Sequence, residues 1–393
     1  MLKSRLAILM VTLGVLAGGT ASAADLPPLK IGVVYSYTGT SPDNGIVMDA
    51  ALNAYLLQHN GTIAGRKVQL IRRDDTGVAP DVARRLAQEL IVQENVDFLL
   101  GSAFTPNGVA METVSTQSKK PFCIVNAAAT DILLKAPYTI RLGVTMPQIA
   151  VPLGRWAAKN GIKTVFTVVA DYAPGIDGAN AFARAFTSSG GKMLGEVRVP
   201  VNNTEFSAYI QRVKDAKPDA VFVFVGAGPS PVAFFKTFRD AGLERLGIRV
   251  LASGDALQED ALPAMGDEPN GVISSLNYSA VHDSKLNRDF IKAFHASDAN
   301  PAHLPNFTAV AAYDCLAAID RAVTRAGSTD PDKIMDAWKG LKFESPRGPV
   351  EIDAQTRDII QNMYMRRTEK HGPIYVDAEF ATIPAVTFDA EGL

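Results

Sequence analysis

The chain has 393 residues, of which 47% are hydrophobic and 20% charged, and its formal net charge is −2. This composition is ordinary for a globular protein, and at roughly 150 residues per domain it predicts two or three domains. The near-neutral charge excludes both the basic surface of a nucleic-acid-binding protein and a polybasic membrane-binding patch.

The first 23 residues have the three parts of an export signal. Lys3 and Arg5 form a basic start, residues 6–16 are an apolar run, and Ala21-Ser22-Ala23 gives the small-x-small pattern of a cleavage site. The apolar run is too short to span a bilayer, and no later stretch is long enough. We therefore expect cleavage near Ala23 and export from the cytoplasm, rather than a buried N-terminal helix.

Strand and helix patterns alternate along most of the remaining chain. Strands are predicted over 29–35, 67–72, 96–100 and 121–125, with helices over 43–59, 80–94 and 106–118. The alternation restarts after residue 142, with helices over 147–160, 178–190, 205–214 and 231–242 and strands over 164–170, 195–200, 220–225, 249–252 and 271–278. Repeated βα units favour parallel sheets covered by helices, and two similar arrays indicate two similar lobes.

The last part of the chain has a different pattern. Helices are predicted over 284–296, 307–326 and 331–339, followed by alternating strands over 349–352 and 361–367. From Gly372 onward, the sequence is interpreted as irregular. No low-complexity linker separates the arrays, so we expect several short crossovers between the lobes.

The two cysteines leave a choice open. Cys123 lies in an apolar strand pattern and Cys315 in a helical pattern. An oxidising compartment allows a disulfide, but two buried free thiols fit the sequence at least as well. Because no CxxC or CxxH spacing is present, we expect no metal site and no redox motif.

Ligands of open parallel sheets bind where strands end, against the N-termini of the following helices. The turn after the third strand has the strongest pattern, because Pro106 suits the first helical position and makes Thr105 the predicted N-cap. Ser102 and Phe104 cluster with it, and the exposed amides of the helix could hold a carboxylate. The alternative is that Thr105 only caps the helix and Phe104 only packs in the core.

The turn after the fourth strand contains Ala127, Ala129 and Thr130. Its small side chains would let backbone amides approach a ligand, and Thr130 adds a hydroxyl. The alternative is a plain polar turn in which Thr130 or Asp131 caps a helix.

Three further turns belong to the second array. Tyr172 could form a pocket wall with its ring and hydrogen bond through its hydroxyl. Ala227 and Gly228 belong to a GxG pattern that lacks the third glycine of a dinucleotide motif, so close backbone approach is the better interpretation. Asp255 could accept a hydrogen bond from a ligand hydroxyl or amine, or merely cap the next helix.

Motifs of common enzymes are missing from the sequence. There is no GxSxG, HExxH or GxxxxGK[ST] pattern, and the five histidines lie away from the five turns. We therefore expect a binding protein without a cofactor rather than an enzyme, with an exported hydrolase as a remote alternative.

Several segments resemble the solute-binding proteins of ABC importers, in the branched-chain amino acid (type I periplasmic) family. The resemblance covers nearly the whole mature chain. The matching segments are Tyr37-Thr38-Gly39, Ile63-Ala64-Gly65-Arg66-Lys67, Arg73-Asp74-Asp75, residues 224–243 and Tyr313-Asp314. Two later segments, Ser345-Pro346-Arg347-Gly348 and Gln361-Asn362-Met363-Tyr364, look most like members that bind aromatic acids.

The resemblance implies two Rossmann-like lobes joined by three crossovers, which close on a ligand by hinge motion. The implied N-terminal lobe is 28–143 plus 281–346, and the implied C-terminal lobe is 144–280 plus 347–393. Thr105 and the turn at Ala127 and Ala129 would bind the ligand carboxylate, although the family usually has Ser or Thr where Ala129 stands. Thr130 could substitute for it.

The same resemblance implies that Tyr172 contacts the ligand, while Pro174 stands where a second tyrosine often occurs. An aromatic residue of the amino-acid binders is replaced near Gly228, and their ammonium-binding acid falls on Gly254 or Asp255. Both differences favour a bulkier ligand without an amine. Asn44, on the first-lobe loop, is a further candidate contact.

These features predict a periplasmic protein, expected to be a monomer, that captures a small carboxylate for an ABC permease at the inner membrane. An aromatic acid such as a benzoate or phenylpropanoid is the expected ligand. Binding of branched-chain or other amino acids, and ligand sensing for a membrane receptor, are the alternatives.

Overall fold

The computed structural model describes residues 26–39, 42–226, 228–259, 261–298, 300 and 302–390. The predicted export signal at residues 1–23 and the candidate Ala227 lie outside the described residues. Within the described ranges, no helix is both long enough and apolar enough to cross a membrane.

Six strands form the first sheet, in the order β2-β3-β1-β4-β5-β6. All neighbouring strands are parallel except β2 and β3. Its elements are β1 (Leu29–Tyr35), α1 (Pro42–Gln58), β2 (Thr62–Ile63), β3 (Arg66–Asp74), α2 (Pro80–Val92), β4 (Phe98–Gly101), α3 (Thr105–Ser118), β5 (Phe122–Ile124) and β6 (Thr139–Arg141). The central strands β1 and β4 are almost wholly buried, because helices cover both faces of a parallel sheet.

The second sheet begins with a similar array. Its elements are α4 (Met146–Lys159), β7 (Thr164–Ala170), α5 (Ala173–Ser188), β8 (Lys192–Val199), α6 (Ser207–Ala216), β9 (Ala220–Phe224), α7 (Pro229–Asp240), β10 (Arg249–Ser253), α8 (Leu262–Met265) and β11 (Ile273–Leu276). The strands β11-β10-β9-β7-β8 are neighbours in that order and are all parallel.

Three helices then return to the first lobe and four strands complete the second sheet. These elements are α9 (Lys285–Ser297), α10 (Phe307–Ala326), α11 (Pro331–Trp338), β12 (Lys342–Ser345), β13 (Gly348–Ile352), β14 (Ile359–His371) and β15 (Ile374–Val386). Helices α9 and α10 pack against α1, and β14 pairs antiparallel with β11, β13 and β15. The predicted two-lobed α/β fold of mostly parallel sheets is confirmed, while the exact lobe boundaries remain a proposal.

The interpretation of the chain after Gly372 as irregular is wrong, because β15 is a 13-residue strand paired with β14. Gly372, at φ +62°, lies in the tight turn between the two strands. The glycine and proline of this segment therefore reverse the chain. Much of β15 is exposed at the sheet edge, so it lacks the apolar alternation of a half-buried strand.

The two cysteines form a disulfide. Cys123 of β5 and Cys315 of α10 are bonded, with their Cα atoms 6.0 Å apart. Both residues are fully buried in the core of the first lobe. The bond therefore fixes β5, the strand next to the edge strand β6, to α10.

Candidate functional site

The turn between β4 and α3 is organised differently from the prediction. Phe104 is the N-cap of α3 and has an extended backbone, so the prediction of Thr105 as N-cap is wrong. Pro106 is tolerated one residue further into the first turn, which places Thr105 inside the helix. No side chain caps this helix start, so its amides could bind an anionic group. Ser102, at φ +70°, is fully buried and donates its hydroxyl to the Phe104 carbonyl oxygen at 2.9 Å.

The turn after β5 is hydrogen bonded to the turn before α3. The backbone N–H of Ala129 donates to Oγ1 of the buried Thr105 at 3.3 Å. The carbonyl oxygens of Ala127 and Ala129 accept from Nη1 of Arg141 at 2.8 and 2.6 Å. Arg141 is itself fully buried and paired with Asp358 at 2.6 Å. A buried charge therefore fixes the backbone of this turn.

Thr130 contacts the other lobe. Its backbone N–H and its hydroxyl both donate to Oδ2 of Asp177 on α5, at 2.8 and 3.0 Å. Thr130 begins a short 3-10 turn that has no side-chain cap, so the alternative of Thr130 or Asp131 as a cap is wrong.

Tyr172 forms a wall on the second-lobe side. It is the half-buried N-cap of α5, and its ring stacks on Phe224 with centroids 5.9 Å apart. Tyr172 and Thr105, from opposite lobes, line one cavity of about 330 Å³. Burial, with the Asp255 carboxylate nearby, raises the pKa of Tyr172, so its phenol stays neutral and can donate a hydrogen bond.

Asp255 and Ser230 follow adjacent parallel strands and have unsatisfied polar atoms. Asp255 lies in a 3-10 turn after β10, and Ser230 lies in the first turn of α7 after β9. Within the described part of the chain, neither the buried Oδ1 of Asp255 nor the hydroxyl of Ser230 has a hydrogen-bond partner. Burial raises the pKa of Asp255 to about 6. Such orphaned atoms are costly unless a ligand or water satisfies them.

The expectation that Asn44 lies on a loop is wrong, because it lies in the first turn of α1. Asn44 and Gly228 line a second cavity between the lobes. This cavity has a volume of about 560 Å³ and is lined by residues of α1, α7 and α8. Gly228 has φ +81°, a conformation that favours glycine. The buried Oδ1 of Asn44 accepts from Nδ2 of Asn306 at 2.8 Å, and this amide also donates to Gln258 at 3.0 Å. Asn44 thus takes part in a hydrogen-bonded link between the lobes.

Asn306, Gln258 and Arg141 were missed by sequence reasoning. Asn306 had a local signal, since an asparagine directly before a predicted helix is a favoured N-cap, and its side chain does cap α10. Arg141 had none, because its partners become neighbours only in the folded chain. Among the described residues, no group of three or more His, Cys, Asp or Glu side chains could hold a metal ion.

Two α/β lobes, with strand-end turns of both lining a shared cavity, define a two-lobed solute-binding protein. A family model described as "Periplasmic binding protein" matches residues 28–373, and the chain belongs to this family. Leu/Ile/Val-binding protein homolog 6 of Brucella melitensis is 37% identical over 373 residues, covering 95% of this chain and 94% of that protein. The resemblance drawn from the sequence is therefore confirmed.

Two solved structures are also similar. One is a solute-binding protein of an ABC transporter from Rhodopseudomonas palustris BisB5 in complex with 3,4-dihydroxybenzoic acid, at 40% identity and a TM-score of 0.87. It covers 92% of this chain and 98% of that chain. The other, from R. palustris in complex with 4-hydroxybenzoate, has 35% identity and a TM-score of 0.90, covering 93% of this chain and 100% of that chain.

Proposed function

We propose that this ABC-transporter solute-binding protein captures a hydroxylated aromatic carboxylic acid of benzoate or phenylpropanoid type between its lobes. The supporting observation is the opposite polarity of the two sides of the site. The start of α3, with Thr105, offers hydrogen-bond donors to a carboxylate. On the second-lobe side, Asp255 lies close enough to Tyr172 to raise its pKa, and both Asp255 and Ser230 have oxygen atoms without a partner. We infer that a ligand hydroxyl satisfies these atoms when the lobes close.

The ring of the ligand would pack against Tyr172. This tyrosine is backed by Phe224, so it presents a rigid aromatic surface at the cavity. Offset stacking of aromatic rings contributes about 0.5–1.5 kcal/mol beyond the burial of their area. An aromatic acid therefore suits this wall better than an aliphatic acid of equal size.

Two similar structures contain hydroxylated benzoates, which supports the same class of ligand for this chain. The signal-like N-terminus and the family support a location in the periplasm. There the protein would act as a monomer, deliver its ligand to a membrane permease and leave the ligand chemically unchanged.

Isothermal titration calorimetry with 4-hydroxybenzoate, benzoate, cyclohexanecarboxylate and leucine tests this function. We expect binding in the order given, with no heat from leucine. Cyclohexanecarboxylate is the matched control, because it keeps the carboxylate and the ring size but has no aromatic face. Binding of leucine alone would overturn the proposal.

An amino-acid ligand is the second candidate, supported by the names of the Brucella relatives and by Asp255, which could bind an ammonium group. The variant Asp255→Asn distinguishes an amino-acid ligand from an aromatic acid. It should abolish binding of an amino acid, but it should lower affinity for 4-hydroxybenzoate only to that of benzoate.

A further inference from the structure

We propose that Arg366 is a positioning residue that holds the turn carrying Asp255 and thereby sets the preference for a hydroxylated ring. This inference rests on the proposed function and concerns a residue of β14, 112 positions from the turn at Gly254. Arg366 is not expected to touch the ligand.

The guanidinium of Arg366 links β14 to the turn at Gly254 and to β11 with the residues directly after it. Nη2 donates to the carbonyl oxygen of Gly254 at 2.9 Å, and Nη1 donates to the carbonyl oxygen of Tyr278 at 2.8 Å. Nε lies 3.3 Å from the Ser274 hydroxyl. Gly254 is the first residue of the 3-10 turn that contains Asp255, so the bond from Nη2 fixes the start of that turn.

The absence of a side chain at Gly254 permits this close contact. A Cβ atom built on it would lie 2.5 Å from Nη2 of Arg366 and 2.5 Å from Cβ of Leu276. The Ser275 carbonyl oxygen would lie 2.8 Å away, so a larger residue would push the turn away from β11 as well as from the guanidinium. Gly254 has no positive φ in this structure, which makes close approach the reason for a glycine here.

The charge of Arg366 is balanced inside the lobe. Oδ2 of Asp377 lies 3.2 Å from Nη2, and Oε1 of Glu259 lies 3.9 Å from Nη1. Burial raises the pKa of both Glu259 and Asp377, and the positive charge of Arg366 opposes both shifts. The two carbonyl bonds of Arg366 orient the backbone whichever of the two acids holds a proton.

Lysine cannot replace this arrangement. A guanidinium presents several donors in a rigid planar fork, whereas an ammonium is a single point charge on a flexible stem. The bonds to Gly254 and Tyr278 leave from different nitrogen atoms, Nη2 and Nη1. In Arg366→Lys the positive charge stays, but one ammonium cannot reproduce both bonds in this geometry.

The test is the ratio of affinities for 4-hydroxybenzoate and benzoate, measured by calorimetry. We expect Arg366→Lys to reduce the preference for 4-hydroxybenzoate by about tenfold, while benzoate affinity changes less than about threefold. Gly254→Ala should give the same loss, because it disturbs the contact from the other side. If Arg366→Lys does not fold, Gly254→Ala replaces it as the test variant.

Arg73→Lys is the control. Arg73 lies in β3 of the first lobe, and its Nε and Nη2 are paired with Glu89 at 2.7 Å and Glu94 at 2.9 Å. Its replacement should lower the melting temperature but leave the affinity ratio unchanged. In the double variant Arg366→Lys/Asp255→Asn, the ratio should equal that of Asp255→Asn alone, because both changes act on one contact.

Equal loss of affinity for both ligands in Arg366→Lys and Gly254→Ala would show a merely structural role and overturn the inference. An unchanged ratio in both variants would do the same. If the unmodified protein binds neither benzoate, the proposed function itself fails. Failure of the proposed function can be told apart from failure of this inference, because it is measured on the unmodified protein alone.

Discussion

Thr130 and Asp177 join the two lobes through two hydrogen bonds to a single carboxylate oxygen, at 2.8 Å from the backbone N–H and 3.0 Å from the hydroxyl. Thr130 follows β5 of one lobe, and Asp177 lies in α5, the helix after β7 of the other. The hydroxyl that sequence reasoning offered to the ligand is therefore donated to the opposite lobe. Binding energy would then depend on Thr130 through lobe closure.

Thr130→Val should weaken the binding of every ligand by the same factor. The change removes the hydroxyl bond to Asp177 but keeps the backbone bond, which costs about 0.5–1.5 kcal/mol of lobe-to-lobe interaction. Calorimetry with two ligands of different ring substitution measures this. Thr187→Val is the control, since that exposed threonine on the same helix as Asp177 bonds only to backbone carbonyls of its own helix. A loss confined to one ligand would place Thr130 in direct contact with it.

Thr105→Val should weaken carboxylate binding by about 1–3 kcal/mol, because it removes a hydroxyl from the start of α3 and leaves the Ala129 N–H without its acceptor. Valine keeps the shape of the side chain, so packing is preserved. Calorimetry provides the measurement. Thr113→Val in the same helix is the control, because its hydroxyl bonds to the Val109 carbonyl oxygen at an exposed position. Equal affinity in the two variants would remove Thr105 from the site.

Local sequence signals were sufficient to predict an element that is long and has capping residues at its ends. The prediction of 307–326 coincides with α10, because Asn306 caps its start and Gly327, at φ +59°, ends it. The site was less predictable, since local signals do not report contacts between distant segments. Arg366 donates to Gly254, which is 112 residues away in the sequence. The residues next to Arg366 and next to Gly254 contain no pattern that predicts this hydrogen bond. The cap at Phe104 was missed because proline fits either of two positions in a first helical turn.

Glu259→Gln should flatten the pH dependence of stability. Burial raises the pKa of Glu259 to about 8 in the folded protein, well above its ordinary value of 4.5. A raised carboxyl pKa means that the folded state holds a proton that the unfolded state has lost. The stabilisation that comes from protonated Glu259 is therefore complete below pH 4.5, declines as the pH rises toward 8, and is lost above pH 8.

Urea unfolding at pH 5, 6.5 and 8 measures this difference. The free energy of unfolding of the unmodified protein, relative to Glu259→Gln, should fall by up to about 1.4 kcal/mol per pH unit across this window. Distant buried carboxyl groups with raised pKa values, such as Asp314 and Asp358, are present in both proteins and cancel. Asp377 interacts electrostatically with Glu259, so its titration belongs to the measured difference. A constant difference at all three pH values would contradict the protonation of Glu259.

Removing the disulfide should lower stability without changing ligand selectivity. The bond between Cys123 and Cys315 closes a loop of 192 residues, and a bond of this kind typically contributes about 2–4 kcal/mol by restricting the unfolded chain. Neither sulfur lines the cavities at Thr105 or Asn44. The double variant Cys123→Ser/Cys315→Ser should therefore melt at a lower temperature while keeping its preference among benzoates. Dithiothreitol should lower the melting temperature of the unmodified protein and leave that of the variant unchanged. Equal melting temperatures of the unmodified protein and the double variant, both measured without reductant, would contradict a stabilising disulfide.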